Sequence, residues 1–153
     1  MLHPINGEAR SVAQLLTMFH LAFVALDPFT NESAWILETA GRVLTQFDQA
    51  DVRVAWLVAG TASQCRQFLG PWAERVLTFA DPDRVAIKGL GLTRLPAFVH
   101  LGMDGTIVGA AEGWDPPGWR AIADHLAVIT AWTAPVLPLP GDPSPFQGTP
   151  ATG

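Results

Sequence analysis

The sequence predicts an α/β fold in which a central mixed sheet is covered by helices on both faces. Two nearly continuous apolar runs, at 20–26 and 52–59, have the composition of strands buried on both sides of a sheet. A helical pattern joins them, which predicts a parallel β-α-β start with a right-handed crossover. A proline then opens a third apolar run, and the Asp-Gly pair after that run predicts an antiparallel hairpin.

The N-terminal region is expected to contribute two helices. Residues 1–7 are expected to be irregular. From 8 to 19, apolar residues recur at i, i+3, i+4 and i+7, which predicts a short amphipathic helix before the first strand. After a loop, a second helix is expected over 33–47, between the two buried strands.

The middle of the chain is predicted to be helical apart from a short strand over 76–80. The helix expected over 63–77 contains Pro71, which has no N–H to donate, so a break is expected there. The Asp81-Pro82 pair has the pattern of an N-cap followed by proline, which predicts a helix over 83–88.

The C-terminal half of the predicted sheet begins at a proline. Pro96 cannot donate to a strand ladder, so the third strand is expected to start after it, over 97–102. The Asp104-Gly105 pair predicts a two-residue turn, with a return strand at 107–111. The Asp115-Pro116 pair repeats the capping pattern and predicts a last helix that ends near residue 131.

Composition changes after residue 132. Six prolines and a single charged residue make 133–153 a Pro-rich C-terminal tail, whereas 1–132 is expected to form one domain. Such a tail is either a disordered end, a strap that lies on the domain, or a docking segment for another protein.

Several of these features resemble the thioredoxin-like superfamily. The helix start at Asp81, the run from Leu90 to Pro96 and the Asp104-Gly105 hairpin are similar to its branch of thiol peroxidases (AhpC/TSA) and TlpA-like reductases. The resemblance covers about 21–126. It implies a thioredoxin-like three-layer fold, a cis bond between Leu95 and Pro96, and a groove in which Leu95, Pro96 and Pro28 bind an extended peptide.

The redox motif of these relatives is absent. Their Cys-x-x-Cys pair begins a helix, where the positive end of the helix dipole lowers the thiol pKa. The resemblance aligns Thr30 and Ser33 with the two cysteines, so no catalytic residue is expected here. A hydroxyl nucleophile at either position would need a nearby base, and the sequence shows no evident relay.

Cys65 is the only cysteine in the chain. On a helix it would share a face with Phe68 and Leu69, which is typical of a small buried side chain. We interpret it as a core residue. The alternative is the reactive thiol of a one-cysteine peroxidase or a redox sensor, which Arg66 and the nearby helix start would favour.

The remaining candidate groups are histidines and tryptophans. No metal-ligand spacing connects the histidines, so neither a metal nor a cofactor is expected; they are His3, His20, His100 and His125. Three tryptophans near the last helix have a spacing that favours core packing over an aromatic binding platform. They are Trp114, Trp119 and Trp132.

Composition narrows the range of partners. A net charge of −5 without a basic stripe argues against a nucleic-acid partner.

The apolar run at 12–26 is too short and too polar to cross a membrane and lacks a signal-peptide cleavage site. One cysteine fits a reducing, cytoplasmic location. The mean hydropathy of +0.26 is high for a soluble domain and predicts a surface hidden in a protein partner or a homodimer.

The sequence therefore favours a redox-inactive, thioredoxin-like domain that acts as a binding or protein-interaction module. Its expected partner is another protein or a peptide. Two alternatives remain open: a thiol oxidoreductase or one-cysteine peroxidase that uses Cys65, and a structural subunit that works only within a complex.

Overall fold

The computed structural model describes residues 2–5 and 20–152. The helix predicted over 8–19 lies outside these described residues. In chain order the elements are β1 (His3–Pro4), β2 (His20–Leu26), α1 (Asn31–Gln46), β3 (Val52–Val58), α2 (Ala62–Leu69), α3 (Trp72–Arg75), β4 (Leu77–Ala80), α4 (Val85–Gly89), β5 (Arg94–Leu95), β6 (Ala97–Leu101), β7 (Ile107–Glu112), α5 (Pro116–Thr130) and β8 (Thr149–Pro150).

Six strands form one mixed sheet in the order β1-β4-β3-β2-β6-β7. β2, β3 and β4 run parallel, while β6 is antiparallel to β2, β7 to β6, and β1 to β4. β5 and β8 form a separate two-stranded antiparallel sheet. The predicted mixed sheet, with its parallel β-α-β start and C-terminal hairpin, is confirmed.

The core lies on both faces of the large sheet. Successive residues of β2 alternate between two apolar clusters, as expected for a strand that is buried on both sides. The first cluster contains Ile36 of α1 and Trp119 of α5, and the second contains Ile87 of α4. Along α1, the buried residues Ile36, Ala40, Val43 and Leu44 recur at helical spacing, which orients the helix on the sheet.

The hairpin between β6 and β7 is longer than predicted. Leu101 pairs with Ile107, so residues 102–106 connect the strands and the expected two-residue turn is wrong. The carboxylate of Asp104 accepts from both the backbone N–H and the hydroxyl of Thr106, at 3.1 and 2.7 Å. Gly105 donates its N–H to Gly102 O at 2.9 Å, so a tight turn spans 102–105, one residue earlier than the predicted turn.

The helix predicted over 83–88 begins later, at Val85. Asp81 still caps this helix, although it is not the N-cap residue. Its carboxylate accepts from the backbone N–H groups of Ala86 and Ile87, at 3.2 and 2.9 Å. Because a turn separates Asp81 from the helix, Arg84 takes the N-cap position with a left-handed φ of 59°.

The structure differs from the predictions at two further places, the N-terminal residues and one of the three tryptophans. Part of the N-terminal stretch expected to be irregular is β1, which pairs with β4. Trp114 and Trp119 are fully buried, as predicted, but Trp132 is 41% exposed. Ala131 ends α5 in a left-handed conformation, so Trp132 leaves the helix face and its indole N–H donates to Gln46 O at 2.6 Å.

The Pro-rich tail lies against the domain in two parts. Residues 133–143, which we call the strap, contact α1 and α5 through the buried Leu137 and an ion pair between Arg42 and Asp142. Residues 148–151, which we call the terminal strand, include β8 and pair with β5. The tail therefore ends next to the proline that opens β6.

Candidate functional site

The end of β2 and the start of β6 adjoin. Ala25 pairs with Ala97 in antiparallel register, so the chain that leaves β2 at Asp27 passes beside the chain that enters β6 through Pro96. The Leu95–Pro96 peptide bond is cis. The loop between β2 and α1 and the segment before β6 thus meet at one end of the sheet, where the sequence predicted a site.

Pro28 belongs to the same end of the sheet. Leu26 at the end of β2 pairs with Val58 at the end of β3, so the loops that follow these strands are neighbours. A Cβ added at Gly60 would lie 3.1 Å from the Cγ of Pro28. Pro28 is half-buried against this loop, whereas Phe29 beside it is 65% exposed.

Thr30 and Ser33 hold the start of α1 in place. Thr30 is the N-cap residue, and its hydroxyl donates to Asp27 O at 3.2 Å. Ser33 is fully buried, and its Oγ accepts the backbone N–H of Asp27 at 2.9 Å. Within the described residues, both hydroxyls bond to the backbone and neither bonds to a basic side chain. The loop keeps its shape without an activated nucleophile.

A buried ion pair adjoins this loop. The side chain of Asp27 is 5% exposed, and its Oδ2 accepts from Arg84 Nη2 at 2.8 Å. Its Oδ1 accepts the backbone N–H of Phe29 at 2.9 Å. Arg84 also donates from Nη1 to Ala151 O at 2.7 Å. One guanidinium therefore connects the loop after β2, the start of α4 and the end of the terminal strand.

The backbone of Thr93, Arg94 and Leu95, which we call the β5 edge, is held from one side by Glu112. One carboxylate oxygen of Glu112 accepts from the Thr93 N–H, the Thr93 hydroxyl and the Arg94 N–H, at 2.8, 2.7 and 2.5 Å. Pro96 O accepts the N–H of Gly113 at 2.7 Å. These bonds fix the edge and leave the carbonyl groups of Thr93 and Leu95 free to bond to another strand.

That strand is the C-terminal end of the same chain. Leu95 pairs with Thr149, and Ala151 donates its N–H to Thr93 O at 2.9 Å. Ala151 is 1% exposed. The edge at which the sequence predicted an external peptide is occupied by residues of the tail.

Cys65 lies in α2, away from the aligned positions Thr30 and Ser33. Its side chain is fully buried in the first core cluster, and its thiol donates to Gly60 O at 3.6 Å. Burial raises the pKa of this thiol to about 11, although its own backbone hydrogen bond and the nearby Arg66 oppose the change. A buried, protonated thiol is a poor nucleophile.

Three histidines cluster at the opposite end of β2 and β6. His20 Nδ1 lies 2.9 Å from His100 Nε2, and the rings of His100 and His125 are 5.8 Å apart. Burial, followed by the two neighbouring histidines, lowers the pKa of His100 to about 4. His100 is 1% exposed, whereas His20 is half-buried and His125 is exposed, and His100 and His125 together line a cavity of about 170 Å³.

Other candidate sites lack converging chemistry. Across residues 2–5 and 20–152, no group of three or more histidine, cysteine, aspartate or glutamate side chains is arranged to hold a metal ion. A cavity of about 250 Å³ on the α4 face is lined by apolar side chains and a glycine alone, with Phe23, Leu57 and Phe79 among them. No helix in the described ranges has both the length and the apolar character needed to cross a bilayer.

Comparison with known proteins supports the fold and adds no sequence relative. No protein-family model matches the chain, and no curated protein is significantly similar to it in sequence. Solved structures do share its fold. A secreted disulfide oxidoreductase from Mycobacterium tuberculosis, homologous to E. coli DsbE, is 14% identical over 83% of this chain and 93% of its own, with a TM-score of 0.63.

Two further solved structures extend this likeness. A hypothetical protein from Sinorhizobium meliloti is 13% identical over 99% of this chain and 88% of its own, with a TM-score of 0.70. The peroxidoxin BcpB from Mycobacterium tuberculosis is 11% identical over 85% of this chain and 90% of its own, with a TM-score of 0.65. The chain therefore has the thioredoxin-like fold, and it lacks a Cys-x-x-Cys motif. The cytoplasmic location stays a prediction.

Sequence reasoning missed four parts of the site: Asp27, Arg84, Glu112 and the terminal strand. Asp27 and Arg84 are 57 residues apart, and neither has a local pattern that points to the other. The one available signal was Gly148 in the tail, since an isolated glycine among prolines indicates a close backbone approach.

Proposed function

We propose that this chain is a thioredoxin-like binding module without thiol chemistry, which recognises an extended polypeptide segment at the β5 edge. The observation that carries the proposal is the antiparallel pairing of Leu95 with Thr149 beside Pro96. An edge that pairs with one extended segment has the geometry for strand addition, in which backbone hydrogen bonds supply affinity and adjacent pockets supply specificity.

Exposed aromatic side chains near the start of α1, one of them in contact with the tail, support the proposal. Phe29 and Trp35 are 65% and 56% exposed, near the start of α1. Trp35 contacts Phe146 of the tail edge-on, with ring centroids 5.7 Å apart. Large exposed aromatic side chains next to a backbone edge are typical anchors of a protein-binding surface.

The loss of thiol chemistry has separate support. The two positions aligned with the cysteines of relatives carry Thr30 and Ser33, whose hydroxyls bond to backbone. The remaining thiol, Cys65, is buried and has a raised pKa. The alternative function, a thiol oxidoreductase or peroxidase that uses Cys65, is favoured by one observation: structures of that kind share the fold.

A paired assay separates the two functions. We expect the purified protein to reduce neither insulin disulfides nor hydrogen peroxide above the buffer rate, and Cys65→Ser to behave identically. Turnover that disappears in Cys65→Ser would establish the enzyme instead.

Peptide selection tests the binding function directly. Peptides selected from a random library on the immobilised full chain are expected to shift the amide NMR signals of the β5 edge. Phe29→Ala should weaken the affinity of these peptides about tenfold, because truncating an aromatic anchor costs roughly 1–2 kcal/mol. Val128→Ala is the matched control. Val128 is also exposed, at 79%, but it lies near the C-terminal end of α5, which adjoins the C-terminal end of α1 and not its start. Equal effects of both changes would contradict the proposed surface.

A further inference from the structure

The terminal strand indicates what the β5 edge recognises. We propose that residues 148–151 are its resident occupant, bound within the same chain, and that a partner must displace them with a segment of the same kind. That kind is an extended segment with glycine at the position of Gly148 and a small side chain at the position of Ala151. This inference rests on the proposed function, because it names the partner class of the same edge.

Backbone pairing gives the occupant its register. Leu95 pairs with Thr149, and Arg94 pairs with Pro150. Pro150 has no N–H to donate, and the N–H of Arg94 is already bonded to Glu112. The pair opposite the proline therefore leaves no donor unsatisfied, and a proline is compatible with this position of the bound segment.

Glycine is required where the segment enters the edge. Gly148 has a φ of +85°, which side-chain-bearing residues rarely adopt. A Cβ at this position would lie 2.5 Å from Leu95 O. Both the backbone conformation and the close approach therefore select a residue without a side chain.

A small side chain is required where the segment ends. Ala151 is 1% exposed and belongs to the second core cluster together with Leu95. Interiors are close-packed, so a larger or charged side chain here would have to open the cluster. The site therefore discriminates by size at this position.

Two arginines bind the backbone of the segment at its two ends. Arg94 Nη1 donates to Gly148 O at 3.0 Å, and Arg84 Nη1 donates to Ala151 O at 2.7 Å. Asp27 holds Arg84 in position through its ion pair. Carbonyl groups are common to all polypeptides, so these contacts recognise an extended backbone, while Gly148 and Ala151 supply the selectivity.

The terminal strand is anchored independently of the strap. The strap ends at Asp142, which accepts from Arg42 and Thr39 at 2.8 Å each, and at Pro143, whose carbonyl accepts from the indole of Trp114 at 2.7 Å. These bonds involve none of the groups at the β5 edge. The terminal strand can therefore leave the edge while the strap stays bound, which makes displacement by a partner structurally simple.

The test uses the full chain and a fluorescein-labelled peptide with the sequence of residues 145–153. Ala151→Glu places a charge at a buried position and is expected to free the terminal strand, whereas Thr152→Glu adds the same charge at its exposed neighbour. By fluorescence anisotropy, the peptide should bind Ala151→Glu at least ten times more tightly than the wild type or Thr152→Glu. A peptide carrying Ala151→Glu should bind all three proteins at least ten times more weakly.

Hydrogen exchange confirms which part has moved. In Ala151→Glu, residues 148–152 should exchange faster while β2, β6 and Phe146, which pairs with Trp114, keep their protection. If Ala151→Glu also loses protection in β2, Gly148→Ala serves as the second release variant, since its Cβ would meet Leu95 O.

Four outcomes would overturn the inference. The first is equal affinity of the 145–153 peptide for the wild type and Ala151→Glu, and the second is equal affinity of the altered and unaltered peptides. The third is release of the terminal strand without any binding of the 145–153 peptide. The fourth is a wild-type dimer in sedimentation that dissociates in Ala151→Glu. The last would place a second copy's tail on the edge.

Failure of the proposed function has a different result. If the 145–153 peptide binds the released variant but no library peptide binds at the β5 edge, the inference stands and the wider binding function fails.

Discussion

The β2–α1 loop and the β5 edge adjoin, but they differ in how their polar groups are used. In the loop, the hydroxyls of Thr30 and Ser33 bond to the backbone of Asp27. At the edge, the backbone around Leu95 still pairs with an extended strand. The hydroxyls of the loop bond within its own backbone, whereas the edge pairs through backbone groups and needs no reactive side chain. In the proposed function, the edge recognises a strand without thiol chemistry in the loop.

The largest effect is expected where the two regions are connected, at the Asp27–Arg84 ion pair. Arg84→Met leaves the buried carboxylate of Asp27 without its charged partner, a change that typically costs about 3–5 kcal/mol. Urea denaturation should show this loss in the free energy of unfolding.

A double variant checks that the loss comes from the pair. Asp27→Asn with Arg84→Met should recover part of the loss, because no charge is then left buried. Strict additivity of the two single changes would mean that the ion pair does not connect the regions.

The next largest effect lies far from both regions, at the histidine cluster. The pKa of His100 is lowered from 6.5 to about 4, so the unfolded chain binds this proton at a higher pH than the folded chain does. The contribution of His100 to the free energy of unfolding is therefore fully present above about pH 6.5. It falls as the pH drops toward 4, by at most ~1.4 kcal/mol per pH unit. His100→Gln should flatten this slope in urea denaturation; an unchanged slope would assign the pH dependence to other groups.

A smaller effect is expected at the anchor of the strap. Burial opposes ionisation of Asp142, but hydrogen bonds from Arg42, Leu139 N–H and Thr39 outweigh it and lower the pKa to about 2. This stabilisation is present above about pH 4 and is lost as the pH falls toward 2.

Asp142→Asn removes the charge of that anchor at neutral pH. It should cost roughly 1–3 kcal/mol, the usual value for hydrogen bonds to a charged group. Hydrogen exchange should increase in the strap while the terminal strand stays protected. Simultaneous loss of protection in both would show that they are one unit.

The sequence predicted the sheet better than it predicted the site, for physical reasons. Strands such as β2 and helices such as α5 follow from local apolar periodicity and from capping by residues such as Pro116, which are properties of consecutive residues. The site depends on contacts between distant segments, such as Arg84 with Ala151, and no local pattern encodes them. The position of Pro96 was predictable because proline restricts its own backbone.

The position of the tail could not be predicted for the same reason. Proline content predicts an extended segment, but it does not say which surface the segment contacts. Its docking depends on Gly148, Ala151 and two arginines from elsewhere in the chain. The hairpin turn differs for a local reason: the tight turn spans 102–105, one residue earlier than predicted, and Asp104 bonds to the hydroxyl of Thr106 after it.

The smallest effect on stability is expected at Cys65, yet its reactivity tests the central claim that this fold operates here without thiol chemistry. We measure the rate at which a thiol reagent labels the native protein between pH 6 and 11, with denatured protein as the reference. We predict native labelling that is far slower than in denaturant and that rises with pH toward the raised pKa of about 11. Rapid native labelling with an apparent pKa below about 7 would contradict it and establish an activated thiolate.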